Sequence, residues 1–251
     1  MKICGLVGNN ILYSLSPKIH NEYYKEKKLD LYYKLFNLNE DNFYKFIKNI
    51  DRNKLIGFNV TIPYKEKILE CLDALEYPAN IVKAVNTVKV TASGLVGYNT
   101  DYYGFIESVE TNNIDIGNKK VLVIGTGGSA KSVITAVRDK KARKIHVLTR
   151  NFKNALNKLN FDKSCIFENI SNYYEYDIII NCTPLGGANY KDVSPIKLNK
   201  RMDKTIVYDL NYNPEKSKLL ITSEELGAKI INGASMLKFQ AYAAINIWIN
   251  N

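Results

Sequence analysis

Four short polar clusters interrupt the apolar stretches in the first part of the chain, and they hold the side chains best able to do chemistry. Ser14 and Ser16 stand in YSLSPKIHN, Asn59, Thr61 and Lys65 in GFNVTIPYKE, Asn86 in AVNT, and Asn99 to Asp101 in GYNTDYYG. Polar residues at strand ends cost stability unless they are satisfied, so each cluster is either a turn or a ligand contact. Singly, each reads as a turn. Together they supply hydroxyls, amides, one ammonium and one carboxylate, the inventory needed to hold a small polyhydroxylated acid.

A different kind of site lies further along. VLVIGTGGSAK puts Gly125, Gly127 and Gly128 directly after a strand pattern and before a helix pattern. Glycine there permits a tight turn and lets backbone N–H groups approach a pyrophosphate, which the helix N-terminus then stabilises. The alternative is a glycine-rich turn with no ligand. The next strand ends in Leu148-Thr149-Arg150-Asn151, where an NAD-binding fold would carry an acid for the ribose 2′-hydroxyl. No acid is present. Arg150, with Lys153 behind it and Thr149 beside it, suits a 2′-phosphate instead, so NADP is favoured over NAD. Otherwise Arg150 simply ends the strand at the surface.

These groups need elements to position them. KICGLVG reads as a buried strand, and Ser16-Pro17 as an N-cap followed by proline at N1 of a helix running to about Leu29. LYYKLFNL is a strand, and Asn39 with Glu40 and Asp41 caps a helix carrying Phe43, Phe46, Ile47 and Ile50. LIGFNVTIP reads as a strand ending at proline, and AVNTVKV with GLVGYN as a hairpin about Ala92-Ser93-Gly94. A helix starts at Asp101 and runs through Val109. From Lys119 a second series opens with strand VLVIG and a helix to about Asp139, followed by strands KIHVLT, YDIIIN and TIVYDL with helices between. That alternation predicts a parallel, doubly wound sheet. A last apolar helix, about Ala234 to Ile249, carries Gln240.

At 251 residues, with 46% apolar and 24% charged side chains, the composition is that of an ordinary folded globular chain. Cys4, Cys71, Cys165 and Cys182 lie far apart in apolar stretches with no CxxC, which reads as buried thiols in a reducing cytoplasm and no metal site. The N-terminal stretch lacks a signal-peptide pattern, and no run approaches the roughly 20 apolar residues a membrane span needs. The net charge of +10 is spread along the chain, with no arginine-rich arm or basic helix. Neither a nucleic-acid nor a membrane partner is therefore expected, and the charge can help attract anionic ligands.

The set of clusters resembles the shikimate dehydrogenase family along nearly the whole chain. The family's SLSPxxHN, NVTxPxK, AxNT and NTDxxG stand here as SLSPKIHN, NVTIPYK, AVNT and NTDYYG. Its nucleotide loop, second cofactor loop, DxxYxP segment and NGxxMLxxQA stand as GTGGSAK, NCTPLG, DLNYNP and NGASMLKFQA, so eight motifs occur in order. The resemblance implies an α/β protein of two domains: a substrate-binding domain of 1–101, joined by the C-terminal helix 234–251, and a Rossmann-type NADP-binding domain of 102–233. It implies NADPH-dependent reduction of 3-dehydroshikimate to shikimate in aromatic amino acid biosynthesis, by a cytoplasmic monomer or homodimer. The alternative is a quinate/shikimate dehydrogenase with relaxed substrate or NAD use.

Carried over by residue, Ser14 and Ser16 would bind the substrate carboxylate with Tyr212 close to it, and Asn59, Thr61, Asn86, Asp101 and Gln240 would hold the ring hydroxyls. Lys65 and Asp101 would be the catalytic pair. Gly125, Thr126, Gly127, Gly128, Ser129, Ala130, Thr149, Arg150, Lys153, Thr183, Pro184, Leu210 and Gly233 would hold NADP(H). The chain departs from the family where Thr149-Arg150-Asn151 replaces a common Asn-Arg-Thr, and where Cys182, Gly187 and Tyr102 replace a usual alanine, methionine and glycine. His20 and His146 have no partners in sequence and are expected in core or surface positions without a catalytic role.

Overall fold

In a computed structural model, which describes residues 1–159, 162–170 and 172–250, the chain divides into two compact units. One is Met1–Gly104 with Leu237–Asn251, the other Phe105–Met236. The first unit contains β1 (Lys2–Gly8), α1 (Ser16–Glu26), β2 (Leu31–Asn37), α2 (Glu40–Lys48), β3 (Gly57–Val60), a 3-10 turn at Lys67–Cys71, β4 (Ala74–Leu75), α3 (Ala79–Val82), β5 (Thr87–Val90) and β6 (Leu95–Tyr98). The division then falls within α4 (Thr100–Thr111). The second unit continues with β7 (Lys120–Ile124), α5 (Gly128–Asp139), β8 (Lys144–Leu148), α6 (Phe152–Lys158), β9 (Ile166–Phe167), β10 (Ile178–Asn181), β11 (Ile206–Asp209), α7 (Lys218–Glu225) and β12 (Lys229–Asn232). The closing helix, α8 (Ala234–Ile249), returns to the first unit from Leu237 onward.

The sheet of the first unit has the order β2-β1-β3-β5-β6-β4. β1 pairs parallel with β2 and β3, whereas β3, β5 and β6 pair antiparallel through the hairpin. Side chains alternate across a strand, and here both faces are covered, which is why KICGLVG is apolar without interruption. Ile3 and Val7 pack with Phe43, Phe58, Tyr64 and Ile68 on one face. On the other, Cys4 and Leu6 pack with Tyr24, Tyr33, Ile245 and Trp248. The Trp248 indole donates to the Val88 carbonyl at 3.0 Å, tying α8 to β5.

The second unit is a six-stranded sheet of order β12-β11-β10-β7-β8-β9, with every pair parallel. Counted from β7, this is the 3-2-1-4-5-6 order of the Rossmann fold. Its topological switch point lies at the carboxyl ends of β7 and β10, where open α/β sheets bind ligands. Gly125 follows β7 there, Cys182 follows β10, and the Cys182 amide donates to the Ile124 carbonyl at 2.9 Å.

Local details differ from the sequence expectations. The N-cap of α1 is Leu15, so Ser16 sits in the first turn, where its amide donates to the Ser14 hydroxyl at 3.2 Å. The helix ends at Glu26 because Lys28 takes a left-handed conformation, φ 54°, and Leu29 turns back to donate to the Tyr24 carbonyl. LIGFNVTIP forms a strand only over Gly57–Val60; Leu55 contributes an isolated bridge to Ile3, and the residues after Val60 make the turn carrying Lys65. No helix lies between β10 and β11, since Pro184, Gly186, Gly187 and Pro195 break that segment into turns. Only Cys4 among the four cysteines is fully buried; Cys71, Cys165 and Cys182 are half-buried. The short strands β4, β9 and β12 and the short helix α3 carry too little periodic pattern to stand out in sequence.

Candidate active site

Lys65 and Asp101 meet in the first unit. The turn after β3 presents Lys65, whose backbone carbonyl is held by the Val85 amide at 2.8 Å, and the first turn of α4 presents Asp101. The ammonium lies 2.5 Å from Asp101 Oδ2, with both side chains only slightly exposed, at 13% and 10%. Asn86 Nδ2 donates to the other carboxylate oxygen at 2.7 Å. Each carboxylate oxygen is thus met by a donor, which fixes the carboxylate plane and aims the lysine.

Buried amides and hydroxyls extend from this pair. The Thr100 amide, which can only donate, points at Asn86 Oδ1 at 2.6 Å, so the Asn86 amide is oriented with Nδ2 toward Asp101. Asn59 Nδ2 donates to the Asn86 carbonyl at 3.2 Å and to Thr87 Oγ1 at 2.9 Å. Thr87 and Thr100 share a 2.9 Å hydroxyl contact, and Thr100 Oγ1 reaches Gln240 Oε1 on α8 at 3.4 Å. Asn59, Asn86, Thr87, Thr100, Asp101 and Gln240 are all buried. Ser14 and Ser16 lie at the N-terminus of α1 with their hydroxyls 3.2 Å apart. Thr61 is half-buried just past β3.

The second unit holds a separate constellation. Gly125 closes β7 with φ +109°, a conformation that side chains rarely adopt. Gly127, the exposed N-cap of α5, has no side chain to satisfy the first-turn amides, which leaves that helix end suited to a phosphate. Thr149 is buried at the end of β8, and Arg150 and Lys153 are exposed beyond it. At the end of β10, Asn181 Oδ1 accepts from both the amide and the hydroxyl of Thr183, at 3.0 and 2.7 Å. Beneath this loop the buried Asp209 carboxylate accepts from Asn181 Nδ2, the Asn211 amide and side chain, and the Ser217 hydroxyl, at 3.0, 2.9, 2.8 and 2.5 Å. Burial raises the Asp209 carboxyl above its ordinary range, and these donors oppose the shift. Asn211 Nδ2 also holds the Thr183 and Leu185 carbonyls, at 3.0 and 3.1 Å. Leu210 and Gly233 approach so closely that a side chain at 233 would fall on the Leu210 carbonyl.

A family-wide profile described as shikimate dehydrogenase substrate binding domain matches residues 6–88, and one described as shikimate / quinate 5-dehydrogenase matches residues 107–211. A shikimate dehydrogenase (NADP(+)) from Clostridium botulinum (strain 657 / Type Ba4) is 50% identical over 254 residues, spanning 100% of this chain and 98% of that protein. The chain belongs to the shikimate dehydrogenase family. Among solved structures of this family, the Thermus thermophilus enzyme in complex with NADP(H) and shikimate superposes with a TM-score of 0.89 at 26% identity, covering 100% of this chain and 94% of that one. The Listeria monocytogenes enzyme in complex with shikimate and NAD gives 0.86 at 28% identity, covering 100% and 92%.

With the shikimate dehydrogenase fold in view, the sequence-derived candidates sort by unit. Lys65, Asp101, Asn59, Asn86 and Gln240 are joined through one hydrogen-bonded web, with Thr87 and Thr100 as links. Ser14 and Ser16 pair through their hydroxyls, and Thr61 has no hydrogen bond to either group among the described residues. Tyr212 lies in the other unit, half-buried in the loop after β11, alongside the glycine-turn, Arg150 and Thr183 candidates. Sequence reasoning missed the linking hydroxyl of Thr87, although it stands inside the quoted AVNT, and named Thr100 only as a member of the Asn99 to Asp101 cluster. It also missed the Asp209, Asn181, Asn211 and Ser217 network, whose members are spread over three sequence segments. Tyr102 is buried, edge-on to Tyr77 and Tyr103. Among the described residues no group of His, Cys, Asp and Glu could hold a metal ion, and no helix is long and apolar enough to cross a membrane.

Proposed function

We propose that this chain interconverts 3-dehydroshikimate and shikimate with NADP(H), and that Lys65 exchanges the proton at the ring oxygen while Asp101 orients it. Family membership makes the chain an NADP-dependent oxidoreductase acting on a CH–OH group. The observation that carries the residue assignment is the slightly exposed Lys65–Asp101 pair, set among buried amides in the unit matched by the substrate-binding profile.

In the reducing direction, NADPH supplies a hydride to the ring ketone. As the C–H bond forms, the carbonyl electron pair moves to oxygen, and the Lys65 ammonium stabilises that charge and then transfers its proton. In oxidation the neutral amine takes the hydroxyl proton back. Asp101 keeps the ammonium aimed and, with its second oxygen held by Asn86, can accept from a ring hydroxyl.

Hydrogen bonds within the protein support a polarity for each of the other proposed substrate contacts. Both Asn59 amide hydrogens are used within the protein, so toward substrate Asn59 offers Oδ1 and accepts. Asn86 has one amide hydrogen beyond the one given to Asp101 and can donate. Ser14 and Ser16 suit a carboxylate. In the second unit, the uncapped start of α5 fits the pyrophosphate, and Arg150 with Lys153 fits the 2′-phosphate. The Listeria relative's NAD complex favours one second reading, in which NAD also serves.

The test is a nicotinamide absorbance assay crossing shikimate and quinate with NADP and NAD. Turnover is expected with shikimate and NADP, and faster than in any other combination. No shikimate turnover with either cofactor would reject the proposal, and shikimate turnover with NAD as fast as with NADP would replace it by the second reading.

A further inference from the structure

The last two residues of SLSPKIHN, His20 and Asn21, have no part in the mechanism above, yet both act on one residue, Tyr33. The Asn21 side chain pairs with the backbone of Tyr33 on β2, donating to its carbonyl at 2.9 Å and accepting from its amide at 2.8 Å. The His20 ring lies flat on the Tyr33 ring, with centroids 3.9 Å and planes 13° apart. Trp248 of α8 flanks both rings, at 5.5 and 6.2 Å. Tyr33 and His20 are fully buried. Backbone and ring are therefore gripped separately, and the position left to specify is that of the phenol oxygen.

That oxygen reaches the substrate residues. Tyr33 donates to Asn59 Oδ1 at 2.7 Å, a contact set in direction because Asn59 Nδ2 faces the Asn86 carbonyl, which only accepts. The Ser16 hydroxyl neighbours the same phenol, opposing the rise that burial imposes on its pKa. One lone pair of Asn59 Oδ1 is thus engaged by Tyr33 and the other is left for a ligand donor.

We infer that Tyr33 is a positioning residue for the substrate: held by His20 and Asn21, its hydroxyl fixes Asn59 as an acceptor for a ring hydroxyl. This rests on the reading of Asn59 as a substrate contact. Tyr33 touches neither Lys65 nor Asp101 in the hydrogen-bond web, so its influence falls on binding and leaves the proton-transfer step in place.

The experiment is steady-state kinetics of Tyr33→Phe with shikimate and NADP, with the melting temperature recorded. The KM for shikimate is expected to rise about tenfold, with kcat within about threefold of wild type and the KM for NADP unchanged. His20→Ala, which keeps the hydroxyl but removes the ring beneath it, should raise the same KM by about threefold; it carries the test if Tyr33→Phe does not fold. An unchanged shikimate KM in either folded variant would overturn the inference, as would a fall in kcat alone or an equal rise in both KM values. Wild-type protein that does not turn over shikimate would instead reject the parent reading.

Discussion

Acidification should unfold this protein through His20, by an amount that can be worked out. The ring is fully buried, and among the described residues its Nε2 has no hydrogen-bond partner and Nδ1 has only the Tyr24 hydroxyl at 3.4 Å. Burial lowers its pKa from 6.5 to about 3. A histidine whose folded pKa is depressed contributes stability that is complete above the unfolded pKa and is lost as pH falls, because the unfolded chain takes the proton first. Each pH unit below about 6.5 costs about 1.4 kcal/mol, so at about pH 5 the loss is about 2 kcal/mol, and it continues toward about pH 3. The assay is urea unfolding of wild type and His20→Phe at about pH 7 and pH 5. Phenylalanine keeps a flat ring on Tyr33 and cannot titrate. Wild type should lose about 2 kcal/mol more than the variant over that interval. His146, whose pKa is also lowered by burial and by Lys144 and Lys120, titrates in both proteins and cancels. Equal losses in the two proteins would refute the reasoning.

Three further substitutions probe the reaction and its supports. Lys65→Ala should lower kcat by about two to four orders of magnitude while shikimate binding, measured by calorimetry, stays within a few-fold; near-normal turnover would remove Lys65 from the mechanism. Arg150→Ala should raise KM for NADP much more than for NAD, and equal effects would detach Arg150 from the 2′-phosphate. Gly187→Ala would drive a methyl group into Oδ1 of the Asn211 side chain, whose Nδ2 donates to the Thr183 and Leu185 carbonyls. A loss of about 1–3 kcal/mol in urea unfolding, with a higher KM for NADP, is expected, and wild-type values for both would show that the loop adapts.

Much of the architecture could be read directly, because its signals are local. The continuous apolar runs of β1, β7 and β10 mark strands covered on both faces, and the Asn39 cap of α2 accepts from the Asn42 amide as its sequence suggests. The apolar residues of α8 delimit a helix from Ala234 to Ile249. Expectations failed where a nearby conformation overrode a good pattern. Ser16-Pro17 has the composition of a cap and first residue, yet the cap falls on Leu15. The segment after Cys182 follows a strand as a crossover helix would, but its prolines and glycines turn it into a string of turns.

The sequence by itself determined the family and brought forward two kinds of candidate site, since motifs such as NVTIPYK, NTDYYG and GTGGSAK keep reactive groups at short fixed spacings. Only the tertiary structure decided which groups are hydrogen-bonded to one another. Tyr33 lies 26 residues from Asn59, and neither its strand nor its aromatic type announces the hydrogen bond between them. Asp209 likewise gathers Asn181, 28 residues away, along with the nearby Asn211 and Ser217. A hydrogen bond depends on the final positions of two atoms to within a fraction of an ångström, and those positions are set by the packing of whole strands and helices, which no short stretch of residues encodes.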